Sequence, residues 1–118
     1  MTTIDTSRSS ALIHDAQRRI PGGVNSPVRA FAAVDGDPIF IARGEGCWLV
    51  DEDGNRFLDL IGSWGPLILG HAHPEVVSAA IAALQNGSSF GAPTEAEVRF
   101  AEELCEAHPV LDQVRLCS

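Results

Sequence analysis

Pro38-Ile39-Phe40-Ile41-Ala42-Arg43, Gly44-Glu45-Gly46, Cys47-Trp48-Leu49-Val50-Asp51, Glu52-Asp53-Gly54-Asn55, Arg56-Phe57-Leu58-Asp59-Leu60-Ile61 is the stretch on which the fold turns. Three short runs rich in β-branched and aromatic residues are separated by two turn signals. Asp53-Gly54 is the strongest short hairpin signal of the two. The stretch predicts an antiparallel meander with strands at 38–43, 47–51 and 56–61, the first turning at Gly44-Glu45-Gly46.

Helical periodicity lies on both sides of the meander. Residues 5–20 predict an amphipathic helix with Leu12, Ala16 and Ile20 on one stripe, ended by Pro21-Gly22-Gly23. Pro74 sits at a first-turn position. From it, Val77, Ala80, Ile81 and Leu84 form an i, i+3, i+4, i+7 face that Asn86-Gly87 closes. Thr94-Glu95-Ala96-Glu97 reads as a capping box opening a helix to about His108, with Phe100, Ala101, Leu104 and Cys105 as its apolar face. Pro109 breaks it, and 113–118 reads as the start of a buried strand. The order gives an α+β lead-in to something larger: 1–20 as a helix, 21–61 as loop and meander, and 62–118 as loops, two helices and a first sheet strand.

Composition bounds the function. The chain has 118 residues, 45% of them hydrophobic and 20% charged, in the range of a globular protein. Net charge is −8, and the acid is concentrated beyond residue 31. That balance argues against a nucleic-acid partner and an anionic membrane surface. No apolar run approaches the roughly 20 residues of a membrane helix. Cys47, Cys105 and Cys117 are odd in number and widely spaced, without a CxxC pair. They point to a reducing compartment, and with no visible signal peptide the expected location is the cytoplasm. All eight basic residues are arginines, and the chain holds no lysine.

Chemistry concentrates in three loops. In Ile20-Pro21-Gly22-Gly23-Val24-Asn25-Ser26-Pro27-Val28-Arg29-Ala30-Phe31, two prolines shape a loop that presents one arginine between apolar neighbours. Arg29 reads either as a surface arginine packing its stem or, with Asn25 and Ser26 beside it, as a fork for a small carboxylate. Trp64, in Gly62-Ser63-Trp64-Gly65-Pro66, reads either as a buried indole anchoring its loop or as an aromatic plate beside a planar ligand. His71-Ala72-His73 offers zinc spacing without a third ligand, so both histidines read as satisfying backbone at a helix start. Glu52 and Asp53 read as turn formers rather than calcium ligands. Glu102, Glu103 and Glu106 read as a solvated face, and Cys117 as core. No metal site is expected. GxGxxG, Walker and GxSxG motifs are absent, leaving nucleotide and serine-hydrolase readings unsupported.

Together these motifs resemble a known family. Residues 21–31, with Asp51-Glu52-Asp53-Gly54-Asn55-Arg56-Phe57-Leu58-Asp59, Ser63-Trp64-Gly65-Pro66, Gly70-His71-Ala72-His73-Pro74-Glu75-Val76 and Ser89-Phe90-Gly91-Ala92-Pro93, resemble the glutamate-1-semialdehyde 2,1-aminomutase family of class III aminotransferases. The resemblance covers roughly residues 10 to 118. It implies a fold-type I pyridoxal 5'-phosphate enzyme, a homodimer, isomerising glutamate-1-semialdehyde to 5-aminolevulinate for tetrapyrrole biosynthesis. It further implies that Ser26 and Arg29 bind the substrate carboxylate and that Trp64 lines the pocket near the cofactor.

Family members are several times longer. Their phosphate-cradling Ser-Gly-Thr follows the strand that reaches Ser118, and their cofactor lysine comes later still. A Schiff base needs an amine that this chain lacks. The expectation is therefore an N-terminal fragment, inactive alone, with no catalytic lysine, no cofactor-binding residue and no such role for Ser118. Two other readings stand beside it: another class III aminotransferase, and a non-catalytic dimerisation or interaction module resting on exposed apolar faces.

Overall fold

The computed structural model describes residues 4–31, 33–34 and 36–117. These divide into two compact units, Met1–Ala79 and Ala80–Ser118.

The first unit opens with α1, Ser7–Gln17. A helix leaves its first amides without partners. The side chain of Thr6, at the N-cap, takes none of them. Asp5 Oδ1 accepts from the Ser7 amide at 3.0 Å. Asp53, far along the chain, accepts from the amides of Arg8 at 2.6 Å and Ser9 at 3.0 Å. Carboxylates there also complement the helix dipole. The Ser9 hydroxyl donates to Asp53 at 2.7 Å and accepts from the Phe40 amide at 3.1 Å. Asp53 is thus a cap delivered from the meander, more than the turn former its local sequence suggests.

These bonds rotate the buried stripe of α1. Ser9 and Ile13 are the residues it buries, where the pattern predicts Leu12, Ala16 and Ile20. Ile13 fits against Gly23, where an added Cβ would lie 2.5 Å from Ile13 Cδ1. The helix ends before Ile20: the Arg19 and Ile20 amides both return to Ala16 O, and Pro21 opens a 3-10 turn.

The meander is present with shifted ends: β1 Ile41–Glu45, β2 Trp48–Asp51 and β3 Arg56–Leu58, in sheet order β1-β2-β3. β1 starts later than predicted because the Phe40 amide is committed to Ser9. Gly44 and Glu45 are ladder residues, paired with Leu49 and Trp48, so the turn is Gly46-Cys47. β3 stops at Leu58 because Asp59 Oδ1 accepts from the amides of Ile61 at 2.9 Å and Gly62 at 3.0 Å, turning the chain away. The Asp-Gly hairpin is where the sequence predicts it. Its base is Asp51, 2% exposed, whose carboxylate accepts from the amides of Asp53 and Asn55 and from Asn55 Nδ2. No cluster of metal-ligating side chains occurs among the described residues.

Register places Gly44, Leu49 and Phe57 on one sheet face and Arg43, Val50 and Arg56 on the other. On the second face Arg56 lies over the Trp48 ring, 4.0 Å from its centroid.

α2 runs Pro74–Leu84, its predicted apolar face exposed at Val77, Ile81 and Leu84. In the second unit, α3 spans Glu95–Ala107. The capping box is a sequence pattern only: the Thr94 hydroxyl donates to Glu97 Oε1 at 3.1 Å and caps no amide. Ala101, Leu104 and Cys105 are half-buried as predicted, while Phe100 is exposed. Residues 113–117 form no strand, because no neighbouring strand in the described residues offers them a ladder. Cys117 is exposed rather than core, and all three cysteines are free thiols. Ser118 lies outside the described residues.

Candidate substrate-binding groove

The loop carrying Arg29 is two successive 3-10 turns, Pro21–Gly23 and Pro27–Ala30, each begun by a proline. Ser26, preceding Pro27, is extended as that position requires (φ −141°, ψ 125°). Its carbonyl accepts from the Arg29 amide at 2.9 Å, which fixes the backbone under the guanidinium. Phe31 ends the turn in the left-handed region, φ 54°.

The Trp64 loop is tighter. Gly62–Trp64 is a 3-10 turn in which Ser63 (φ 53°) and Trp64 (φ 70°) both adopt left-handed backbone. Non-glycine residues there hold about 1–3 kcal/mol of strain each and persist only where surrounding bonds over-determine them. The over-determination comes from Asp59, whose Oδ1 holds the amides of Ile61 and Gly62. Trp64 is 71% exposed. The reading of it as a buried anchor is therefore overturned.

Asp59 Oδ2 lies 2.6 Å from His71 Nε2, with the two side chains 9% and 18% exposed. A carboxylate oxygen accepts only, so Nε2 donates. The His71 ring packs against Gly44, where an added Cβ would lie 2.5 Å from His71 Cγ. The backbone of His71 exchanges hydrogen bonds with Gly46 at 2.8 and 2.9 Å. His71 is thus held by a carboxylate on its ring and by the hairpin turn on its backbone. His73 does not use its side chain on backbone either: its Nδ1 is buried with no hydrogen-bond partner among the described residues.

These pieces enclose one groove of about 500 Å3, lined among others by Arg29, Gly44, Leu49, Asp59, Trp64 and His71. Two of the three residues singled out in the sequence, Arg29 and Trp64, therefore share a cavity. Ser26, half-buried and three residues before the turn's arginine, is not among its lining residues. Asp59 and His71 are the members that sequence reasoning missed. The signal for Asp59 was its place two residues before Ile61-Gly62, the spacing of an Asx turn. Nothing local announced its pairing with His71.

The Asp59 carboxyl is held below the usual carboxylate range, first by the Gly62 and Ile61 amides and then by the His71 hydrogen bond. Asp53 is lowered as well: desolvation acts to raise it, but the Ser9 hydroxyl, the Arg8 and Ser9 amides and the Ser7 hydroxyl outweigh that effect. Both folded values lie below the unfolded ones. Their contribution is present above the unfolded carboxylate value, roughly pH 4, and is lost as pH falls through the folded values. Stability is expected to be level from neutrality to about pH 5 and to fall below about pH 4. Urea midpoints taken across that range check this, and a midpoint unchanged down to about pH 2.5 contradicts it.

The groove's donors suit a carboxylate. Arg29 supplies a fork, and Arg43 lies at the same cavity. A pyridoxal group held as a Schiff base does not fit this chain by itself, because it has no lysine.

Residues 31–118 match the family model for class III aminotransferases. The chain is 59% identical over 112 residues to the glutamate-1-semialdehyde 2,1-aminomutase of Myxococcus xanthus, covering 95% of this chain and 26% of that one. It therefore spans about a quarter of the length of the curated relatives it matches. Among solved structures it superposes on an omega-transaminase from Sphaerobacter thermophilus with TM-score 0.82 and 39% identity, covering 91% of this chain and 24% of that one. It also superposes on a transaminase with PLP bound, with TM-score 0.80 and 38% identity, covering 88% and 24%. The α+β lead-in of fold-type I expected from the sequence is the architecture these transaminases share with it. On the strength of the family match across three quarters of its residues, the chain belongs to the class III aminotransferase family.

Proposed function

We propose that this chain supplies the carboxylate-holding wall of a pyridoxal-phosphate enzyme that isomerises glutamate-1-semialdehyde to 5-aminolevulinate, a homodimer of the cytoplasm serving tetrapyrrole synthesis. The observation that carries the reading is the shared groove of Arg29 and Trp64. Arg29 holds the substrate carboxylate by two parallel hydrogen bonds, Ser26 adds a hydroxyl beside it, and Trp64 covers the reacting end. Pyridoxal phosphate, when bound by the whole enzyme, supplies the amino-group exchange. The close likeness to a protein named as the aminomutase supports the substrate. The transaminase with PLP bound supports the cofactor. No helix of the described residues is long and apolar enough to cross a membrane.

A second reading, a transaminase of the same class, draws on the superposition with the omega-transaminase. Both readings use the Arg29 groove, and they separate on reaction.

The chain titrated with glutarate is expected to shift the resonances of Arg29 and Trp64, while the neutral diamide shifts neither. Arg29→Ala is expected to weaken glutarate about tenfold or more, in line with the worth of a charge-assisted hydrogen bond. Equal binding by the diamide, or by Arg29→Ala, overturns the carboxylate wall. The chain incubated with glutamate-1-semialdehyde and pyridoxal phosphate is expected to yield no 5-aminolevulinate above the protein-free control.

A further inference from the structure

We infer that Asp59 and His71 are positioning residues that together set the Gly62–Trp64 turn, and with it the wall facing Arg29. The proposal rests on the groove reading above only for its affinity readout. Its geometric part stands alone.

Asp59 divides its two oxygens between two jobs. Oδ1 holds the Ile61 and Gly62 amides, which start the left-handed Ser63-Trp64 backbone. Oδ2 takes the His71 Nε2–H. Without His71, the carboxylate loses one of the three hydrogen bonds that orient it, and its hold on the two amides loosens. The strained turn then loses part of what over-determines it. His71 can serve as this brace because it is itself immobile. Its backbone is paired with Gly46, and its ring lies against Gly44, where no side chain intervenes. The brace therefore runs from the β1–β2 hairpin through His71 to Asp59 and on to Trp64. The other charged groups at the groove are Arg29 and Arg43, and neither forms an ion pair with Asp59. The task of holding the carboxylate falls to His71.

The distinction from mere packing is a proton on one nitrogen. Glutamine at position 71 carries an Nε2–H donor at similar reach and lacks the ring. A packing role predicts that it fails like alanine; a brace predicts that it works.

Four measurements test this on the intact chain. In the wild type, long-range nitrogen–proton resonance spectra are expected to show a proton on His71 Nε2, shifted far downfield by Asp59; an Nε2 without a proton at neutral pH overturns the proposal. In a Trp48→Phe background, His71→Ala is expected to move the amide resonances of Ile61 through Trp64. It is also expected to move the indole N–H resonance of Trp64. His71→Gln is expected to restore most of both. Equal damage from the two variants, or no change at Trp64 in a folded His71→Ala, overturns it. Glutarate affinity is expected to fall about threefold in His71→Ala and to recover in His71→Gln, again on the scale of one hydrogen bond. A wild type that binds no glutarate removes the functional reading while leaving the Trp64 result to decide the brace. Should His71→Ala not fold, the wild-type proton decides alone.

Discussion

Ile13→Ala is expected to destabilise the chain by about 2–5 kcal/mol, the range for truncating a buried isoleucine or leucine. Ile13 is 3% exposed and is the one buried hydrophobic residue of the core among the described residues. Domains of ordinary stability hold about 5–15 kcal/mol in total. A chain with so many apolar side chains at its surface has little reserve, so this variant is expected to populate the unfolded state at room temperature. On one side the cavity it leaves meets Gly23, which has no side chain to move in (φ 75°), and the Gln17 side chain lies beside it. Urea unfolding followed by circular dichroism measures the loss. Ile13→Val, which removes one methyl, is expected to cost about 0.5–1.5 kcal/mol. A midpoint for Ile13→Ala equal to that of the wild type would show that α1 contributes no core.

Gly70→Ala is expected to cost about 2–4 kcal/mol, combining left-handed backbone with overpacking. Gly70 has φ 78°, and a Cβ there would lie 2.6 Å from Gly46 O and 2.9 Å from Gly46 C. Those are backbone atoms, with no rotamer to escape into. Relief comes only by moving the Gly46 turn away from residues 70 and 71, which breaks the Gly46–His71 pair. The variant is expected to speed hydrogen exchange at the Gly46 and His71 amides far more than at Ser9. It is also expected to release Trp64 in the same manner as His71→Ala. Preserved protection at Gly46 and His71 would show that the bridge tolerates the methyl. The exposed Arg18–Asp15 and Arg99–Glu95 pairs give a contrast. Removing either is expected to change stability by less than about 1 kcal/mol.

Much of the fold was legible because it depends on nearest neighbours. The Asp-Gly turn, Pro74 at a helix start, and the periodicity of α2 and α3 are local. Their physics acts over four residues or fewer, and the structure keeps them. The shifted boundaries of the first unit share one cause. β1 starts late, β3 stops early and α1 rotates its buried stripe because side chains distant in sequence claim backbone amides: Ser9 that of Phe40, Asp59 those of Ile61 and Gly62, Asp53 those of Arg8 and Ser9. Periodicity carries no information about such claims. The capping box at Thr94 failed in the opposite sense, a local pattern whose hydroxyl found the glutamate carboxylate before an amide.

The candidate site divides along the same line. Arg29 and Trp64 could be picked out from their own loops, because proline and glycine declare a shaped backbone by residue type alone. That they line one groove could not be, since a loop and the whole meander separate them. Asp59 and His71 were read as a strand residue and a helix-start histidine. Only the sheet register, which brings Gly44 under the imidazole and Gly46 against its backbone, makes them a pair. Residue type and spacing by themselves determined the Asp-Gly hairpin, the helices after it and a guanidinium on a proline-shaped loop, while the family was legible only as a resemblance of whole motifs. The tertiary structure decided which oxygen meets which amide. A hydrogen bond about 3 Å long depends on where two distant segments come to rest, and local preference does not specify that.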